Sequence, residues 1–120
     1  MRKTGPTNIV TRKTIRELKK IARENKAAIW RRIAEELEKP RRQRRAVNIS
    51  RINRHTKEGD VVVVPGKVLG AGTLDHAVTV AALSFTKTAI DKITGSGGKV
   101  IHILELARSN PTGKNVKIIG

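Results

Sequence analysis

The 120-residue chain contains no cysteine and no tyrosine, and its only aromatic residues are Trp30 and Phe85. Without cysteine there are no disulfides, no zinc knuckles and no thiol chemistry. Two aromatics also nearly exclude a platform for stacking bases, the usual route to single-stranded RNA. No apolar run approaches membrane-spanning length, and the first ten residues lack the apolar centre of a signal peptide, so a soluble, intracellular protein is expected. Acid is scarce as well: Asp plus Glu is 10 against 26 Lys plus Arg, a net charge of +16 and a pI near 11.4. An excess of one sign on this scale strains the compact state by self-repulsion unless a polyanion neutralises it.

The charge is unevenly spread. Residues 1–60 hold 19 basic and 7 acidic side chains, residues 61–120 only 7 and 3. The first half therefore reads as contact surface and the second as folded core. Nineteen residues, Lys39 to Lys57, carry eight basic side chains and no carboxylate: Lys39, Arg41, Arg42, Arg44, Arg45, Arg51, Arg54 and Lys57. Arginine predominates there, and its planar fork suits phosphate oxygens better than the point charge of lysine. A bare charge run is often only a solvated, disordered block. Here Val47, Ile49 and Ile52 are interleaved with the charge, which pins part of the segment to a folded body. Nucleic acid is the expected partner, and Lys39–Arg45 is expected to become ordered when it binds.

With 38% hydrophobic residues and ten glycines, the chain should form one modest core. Residues 11–24 predict a helix with Ile15, Leu18, Ile21 and Ala22 on one side and Arg12, Arg16, Lys19, Lys20 and Arg23 on another, ending near Asn25. Residues 27–38 predict a second helix, with Ile29, Trp30, Ile33 and Leu37 inward and Pro40 beyond its end. The short joint implies a helical hairpin. Asn48 is placed to cap a short helix reaching His55. After Gly59 the texture changes to short β segments and glycine turns. Val61–Val64 predicts a strand covered on both faces, Pro65-Gly66 a turn, Lys67–Leu69 a further segment, and Val78–Leu83 another strand. Ser84 would cap a helix with Phe85, Ala89, Ile90 and Ile93 inward and Gly95 at its end. Val100–Ile103 predicts a strand, Leu104–Ser109 a helical turn and Val116–Ile119 an edge strand. The fold class is α/β: a basic helical hairpin and loop over residues 1–58, then a small irregular ββα layered core over 59–120.

Catalytic constellations are lacking. Gly70-Ala71-Gly72 begins like a dinucleotide fingerprint, but Asp75 stands at the third glycine position, and a hairpin-like turn is the better reading. Gly95-Ser-Gly97-Gly98 follows a predicted helix, whereas a phosphate cradle precedes one. His55, His76 and His102 have no metal-ligand spacing, and Asp75 and His76 would point to opposite faces if extended. No nucleophile, base and orienting group assemble, so neither an enzyme nor a cofactor is expected.

Several segments taken in order resemble one family. Glu38-Lys-Pro-Arg-Arg-Gln-Arg44, Val47-Asn-Ile-Ser-Arg-Ile52, Thr56-Lys-Glu-Gly59, Val62-Val-Val-Pro-Gly-Lys-Val-Leu-Gly70, Leu74-Asp-His76, Val78-Thr-Val-Ala81 and Gly97-Gly-Lys-Val100 are similar to archaeal and eukaryotic large-subunit ribosomal protein eighteen-e. The second half is also similar to bacterial large-subunit ribosomal protein fifteen, at Val68–Gly72 and Gly97–Val100. Arg45 after Arg44 and Thr73 after Gly72 are small departures. The resemblance implies a structural, non-catalytic component of the cytoplasmic ribosome, bound to large-subunit ribosomal RNA and neighbouring ribosomal proteins, with no membrane and no small-molecule substrate. It carries the family's basic block onto Lys39, Arg41, Arg42 and Arg44, and its Pro-Gly-Lys turn onto Pro65, Gly66 and Lys67. The full set expected to touch RNA is Arg2, Lys3, Arg12, Arg16, Lys20, Lys39, Arg41, Arg42, Arg44, Arg45, Arg51, Arg54 and Lys67. The glycines would let backbone approach RNA closely. The alternatives are a basic chromatin or DNA-compacting protein, which would favour duplex DNA, and a nucleic-acid-modifying enzyme, which would need the missing constellation.

Overall fold

A computed structural model describes residues 9–39 and 45–119. The helical hairpin forms where the periodicity placed it. Helix α1 (Ile9–Asn25) buries Ile15, Leu18, Ile21 and Ala22, and α2 (Ala28–Leu37) buries Trp30, Ile33, Ala34 and Leu37, leaving Ile29 half-buried. Asn25 ends α1 and donates its side-chain amide to the Ile21 carbonyl at 2.9 Å. The left-handed residue of the elbow is Lys26, with φ of 52°.

These helices and Leu104–Lys114 make one compact unit. Trp30 is fully buried, and its indole N–H donates to the Asn110 carbonyl at 3.2 Å. Arg108, on α5 (Ile103–Ser109), grips Glu17 of α1 with two bonds of 2.9 and 3.0 Å. The expected helical turn over 104–109 is thus a short helix.

The second unit comprises Arg45–Ile103 and residues from Asn115 onward. It takes in β1 (Arg45–Asn48) and α3 (Ile49–His55), so its boundary falls before that strand and not at Gly59. Its five-stranded sheet is parallel throughout, in the order β1, β2 (Val61–Leu69), β3 (Thr79–Phe85), β4 (Lys99–His102). β5 (Val116–Ile118) pairs β2 along Val61–Val63, on the edge that β1 follows along Gly66–Leu69. Val62, Val63 and Val64 are all fully buried, as a strand covered on both faces requires. One core joins Val47, Ile49 and Ile52 to Val62, Val64, Val80, Ala89 and Ile93.

Several expectations fail for identifiable reasons. Pro65-Gly66 is not a turn but part of β2. The register against β3 slips between Val64 and Lys67, and β5 ends opposite Val63 while β1 begins opposite Gly66, so Pro65 faces no edge-strand partner for its missing N–H. Residues 70–72 do not close a hairpin, because β2 and β3 run parallel and need a crossover. Ser84 does not cap α4 (Lys87–Gly95): β3 continues to Phe85, opposite Val68, and Thr86 accepts the Ala89 N–H instead. That start turns Ala89 and Ile93 inward and leaves Ile90 36% exposed. Asn48 holds the N-cap position of α3, but its side chain makes no capping bond. Asp75 and His76 do not point apart: lying outside any strand, they pair, His76 Nδ1 to Asp75 Oδ1 at 2.8 Å.

Candidate nucleic-acid interface

Amphipathic folding of α1 sorts its charge. Because Ile15, Leu18, Ile21 and Ala22 turn inward, Arg12, Lys13, Arg16, Lys20 and Arg23 are exposed together. Two carboxylates near this stripe, Glu17 and Glu38, are engaged by other residues. Glu17 is held by Arg108, and that bidentate bond, reinforced by the Arg108 and Lys20 charges, keeps its carboxyl below the usual range. Glu38 is held by Lys19 at 2.7 Å. Lys39 is exposed, 3.1 Å from Glu36.

A second basic face lies on α3. Ile49 and Ile52 are fully buried, three residues apart, so Arg51, Arg54 and His55 share the opposite, exposed side. The Ser50 N–H donates to the Ala71 carbonyl at 3.1 Å, and Gly72, with φ of +99°, lies so close that an added Cβ would strike Ser50. Lys92 fixes this loop by donating to the carbonyls of Gly70 and Gly72 at 2.6 and 2.5 Å. It is a half-buried staple, not an outward cation. At Gly70 and Gly72 the backbone comes close to the chain's own Thr88 and Ser50. Lys67 is exposed on β2, immediately after the register slip.

Arg51 and His55 also line an open bowl of about 430 Å³ with Lys117, Ile118 and Ile119. Lys117 is tied to Asp60 at 2.9 Å, and that bond, with the Lys57 backbone N–H, holds the Asp60 carboxyl below its usual range. No local signal could have joined Lys117 to His55, 62 residues away; only the pairing of β5 with β2 does. Of the other expected RNA-contacting residues, Arg2, Lys3, Arg41, Arg42 and Arg44 lie outside the described residues, and of Arg45 only the backbone is described. The expected ordering of Lys39–Arg45 falls there too. Among the described residues, no group of His, Cys, Asp and Glu could hold a metal ion. No described helix is long and apolar enough to cross a membrane.

The sequence pattern of the family described as "Ribosomal protein 60S L18 and 50S L18e" matches residues 2–120. The chain belongs to this family. It is 54% identical over 117 residues to large ribosomal subunit protein eL18 of Sulfurisphaera tokodaii, covering 98% of this chain and 96% of that one. The eL18 of Methanothermobacter thermautotrophicus is 51% identical over 99% of this chain and 98% of its own length. That of Pyrobaculum aerophilum is 51% identical over 97% and 95%. The family is one of structural ribosomal constituents, and archaeal eL18 is the branch these relatives represent.

Proposed function

We propose that this chain is a non-catalytic constituent of the large ribosomal subunit in the cytoplasm, and that it stabilises folded large-subunit ribosomal RNA by neutralising phosphates with arginine and lysine. The observation that carries this reading is the fate of the acids. Five of the ten acids, Glu17, Glu35, Glu36, Glu38 and Asp60, are each paired with a Lys or Arg of the chain itself, and Asp75 bonds His76. Exposed cations lie on Arg12, Arg16 and Lys20 of α1 and on Arg54 of α3. Trp30 is buried and Phe85 half-buried, so recognition rests on the sugar-phosphate frame and RNA shape.

The test is a salt titration of binding to deproteinised archaeal large-subunit ribosomal RNA. The log–log slope should be about −0.7 to −0.9 per phosphate contacted, and random duplex DNA should bind more weakly. Replacing Arg41, Arg42, Arg44 and Arg45 together by Ala should weaken binding by several kcal/mol, at about one or somewhat more per lost charged bond, with melting of the free protein nearly unchanged. A flat salt response would overturn the phosphate mechanism, and a preference for duplex DNA would favour a compacting protein.

A further inference from the structure

The elbow between α1 and α2 holds a cleft of about 500 Å³ walled by Lys19, Arg23, Lys26 and Arg31. Lys19 and Arg23 are one turn apart on α1, Lys26 is in the joint, and Arg31 is on the first turns of α2, so the four converge from three pieces of backbone. The other lining residues beside the cations include Ala22, Ala27 and Ala28, whose methyl groups leave room between the basic side chains. One carboxylate, Glu35, stands at the edge; its 3.4 Å pair with Arg31 joins two well-exposed side chains, and such pairs exchange partners readily.

Lys26 is the telling residue. Its φ of 52° is a left-handed conformation that glycine or asparagine adopts more easily. Its exposed side chain makes no hydrogen bond or ion pair among the described residues, so none of them rewards a lysine there. A non-glycine residue kept in a strained conformation points to use outside the fold.

We propose that this elbow is a separate phosphodiester-binding site for ribosomal RNA, with Arg23, Lys26 and Arg31 gripping consecutive phosphates of one strand and Lys19 released from Glu38 to join them. The proposal rests on the ribosomal RNA reading above. An acidic protein segment is the less fitting occupant. The cleft offers only alanines as apolar surface, whereas stable protein contacts are anchored by large apolar or aromatic side chains in pockets.

The decisive variant is Lys26→Gly, because stability and binding should move in opposite directions. Relief of the left-handed strain should raise Tm by a few degrees (about 2–6 °C). Affinity for deproteinised archaeal large-subunit ribosomal RNA should fall about 3- to 10-fold at 0.1 M salt, with the log–log salt slope shallower by about 0.7–0.9. The triple variant Arg23→Gln, Lys26→Gly, Arg31→Gln should lose about 10- to 100-fold and about three times as much slope. If the triple variant binds this RNA like wild type while Arg51→Gln with Arg54→Gln weakens it, the elbow proposal is overturned and the general RNA reading stands. A Tm that falls together with affinity in Lys26→Gly would also overturn it, since the lysine would then act through the fold. Decaglutamate is the second probe: binding that disappears in the triple variant while RNA affinity is unchanged would assign the cleft to an acidic protein segment instead.

Discussion

In the helical unit, two helices lie together through a single stripe of Leu18, Trp30, Ile33 and Leu37, all fully buried, and the indole bond to Asn110 and the Arg108–Glu17 clamp fasten the segment that returns to them. In the sheet unit the strands share a continuous core, and the loops are bolted individually: Lys92 to Gly70 and Gly72, Ser96 Oγ to the Leu74 carbonyl, Thr56 Oγ1 to Ile52 and His76, and the Glu58 carboxylate to the Ala77 N–H. A face of cations can thus be presented in two ways. On α1 the basic residues stand on a long regular rod whose shape depends on its apolar stripe. On α3 they stand on seven residues seated by a loop that a lysine holds in place. Short helices are not stable alone, so α3 keeps its form only while those attachments last.

Removing the largest buried side chain tests the comparison most severely. Trp30→Ala should cost about 3–5 kcal/mol, against about 2–5 kcal/mol for Ile52→Ala. Amide exchange should separate them: Trp30→Ala should accelerate α1 and α2 first, and Ile52→Ala should accelerate α3, β1 and β2 first. Uniform acceleration in both variants would show that the two units open as one and that the contrast is only geometric.

A smaller effect is expected where the sheet unit relies on its bolt. Lys92→Met keeps the stem but strands two carbonyls, for about 1–3 kcal/mol measured by denaturant unfolding. It should also speed exchange at Ser50, whose N–H reaches the Ala71 carbonyl. If Ser50 exchanged as slowly as in wild type, the loop would not be what seats α3.

The smallest effect lies at acid pH. Glu17 in the helical unit and Asp60 and Asp75 in the sheet unit all titrate below their usual values, held down chiefly by bonds from Arg108, Lys117 and His76 respectively. Each contributes stability that is complete above the unfolded pKa, about 4, and is lost as pH falls through the lower folded value. Glu17→Gln and Asp60→Asn should therefore flatten the acid limb of the stability curve, their small cost appearing near pH 7 and vanishing at acid pH. A steeper acid limb in either variant would reverse the assigned sign.

Helices were legible because their signal is local. Ile15, Leu18 and Ile21 fall on one side at helical spacing, and no distant partner is needed to see it. The α/β class and the two-sided burial of Val62–Val64 could be read for the same reason. Strand partnership could not. A strand's apolar pattern is the same whether its neighbour runs parallel or antiparallel, so Gly70–Gly72 looked like a hairpin and Pro65-Gly66 like a turn. The Arg45–Asn48 strand, hidden inside the basic run, drew no expectation at all. On the surface, the basic stripe of α1 was readable from spacing, whereas Arg51 and Arg54 were visible only as members of the basic run. The elbow cleft was not, because Lys26 joins it through a backbone conformation and Arg31 from a second helix. Lys92, counted by charge alone as one more cation, is withdrawn from the surface by two carbonyls that only the fold supplies.

Trp30 is the chain's only tryptophan, and there is no tyrosine. Ultraviolet emission from this protein therefore originates in the helical unit, from one indole shielded from water and bonded to a carbonyl. The sheet unit is dark in that channel, while both units contribute to the far-ultraviolet ellipticity. A melt followed by emission thus watches the hairpin alone, and one followed by ellipticity watches the whole chain. Any gap between their midpoints is a direct optical measure of how independently the basic rod and the sheet come apart.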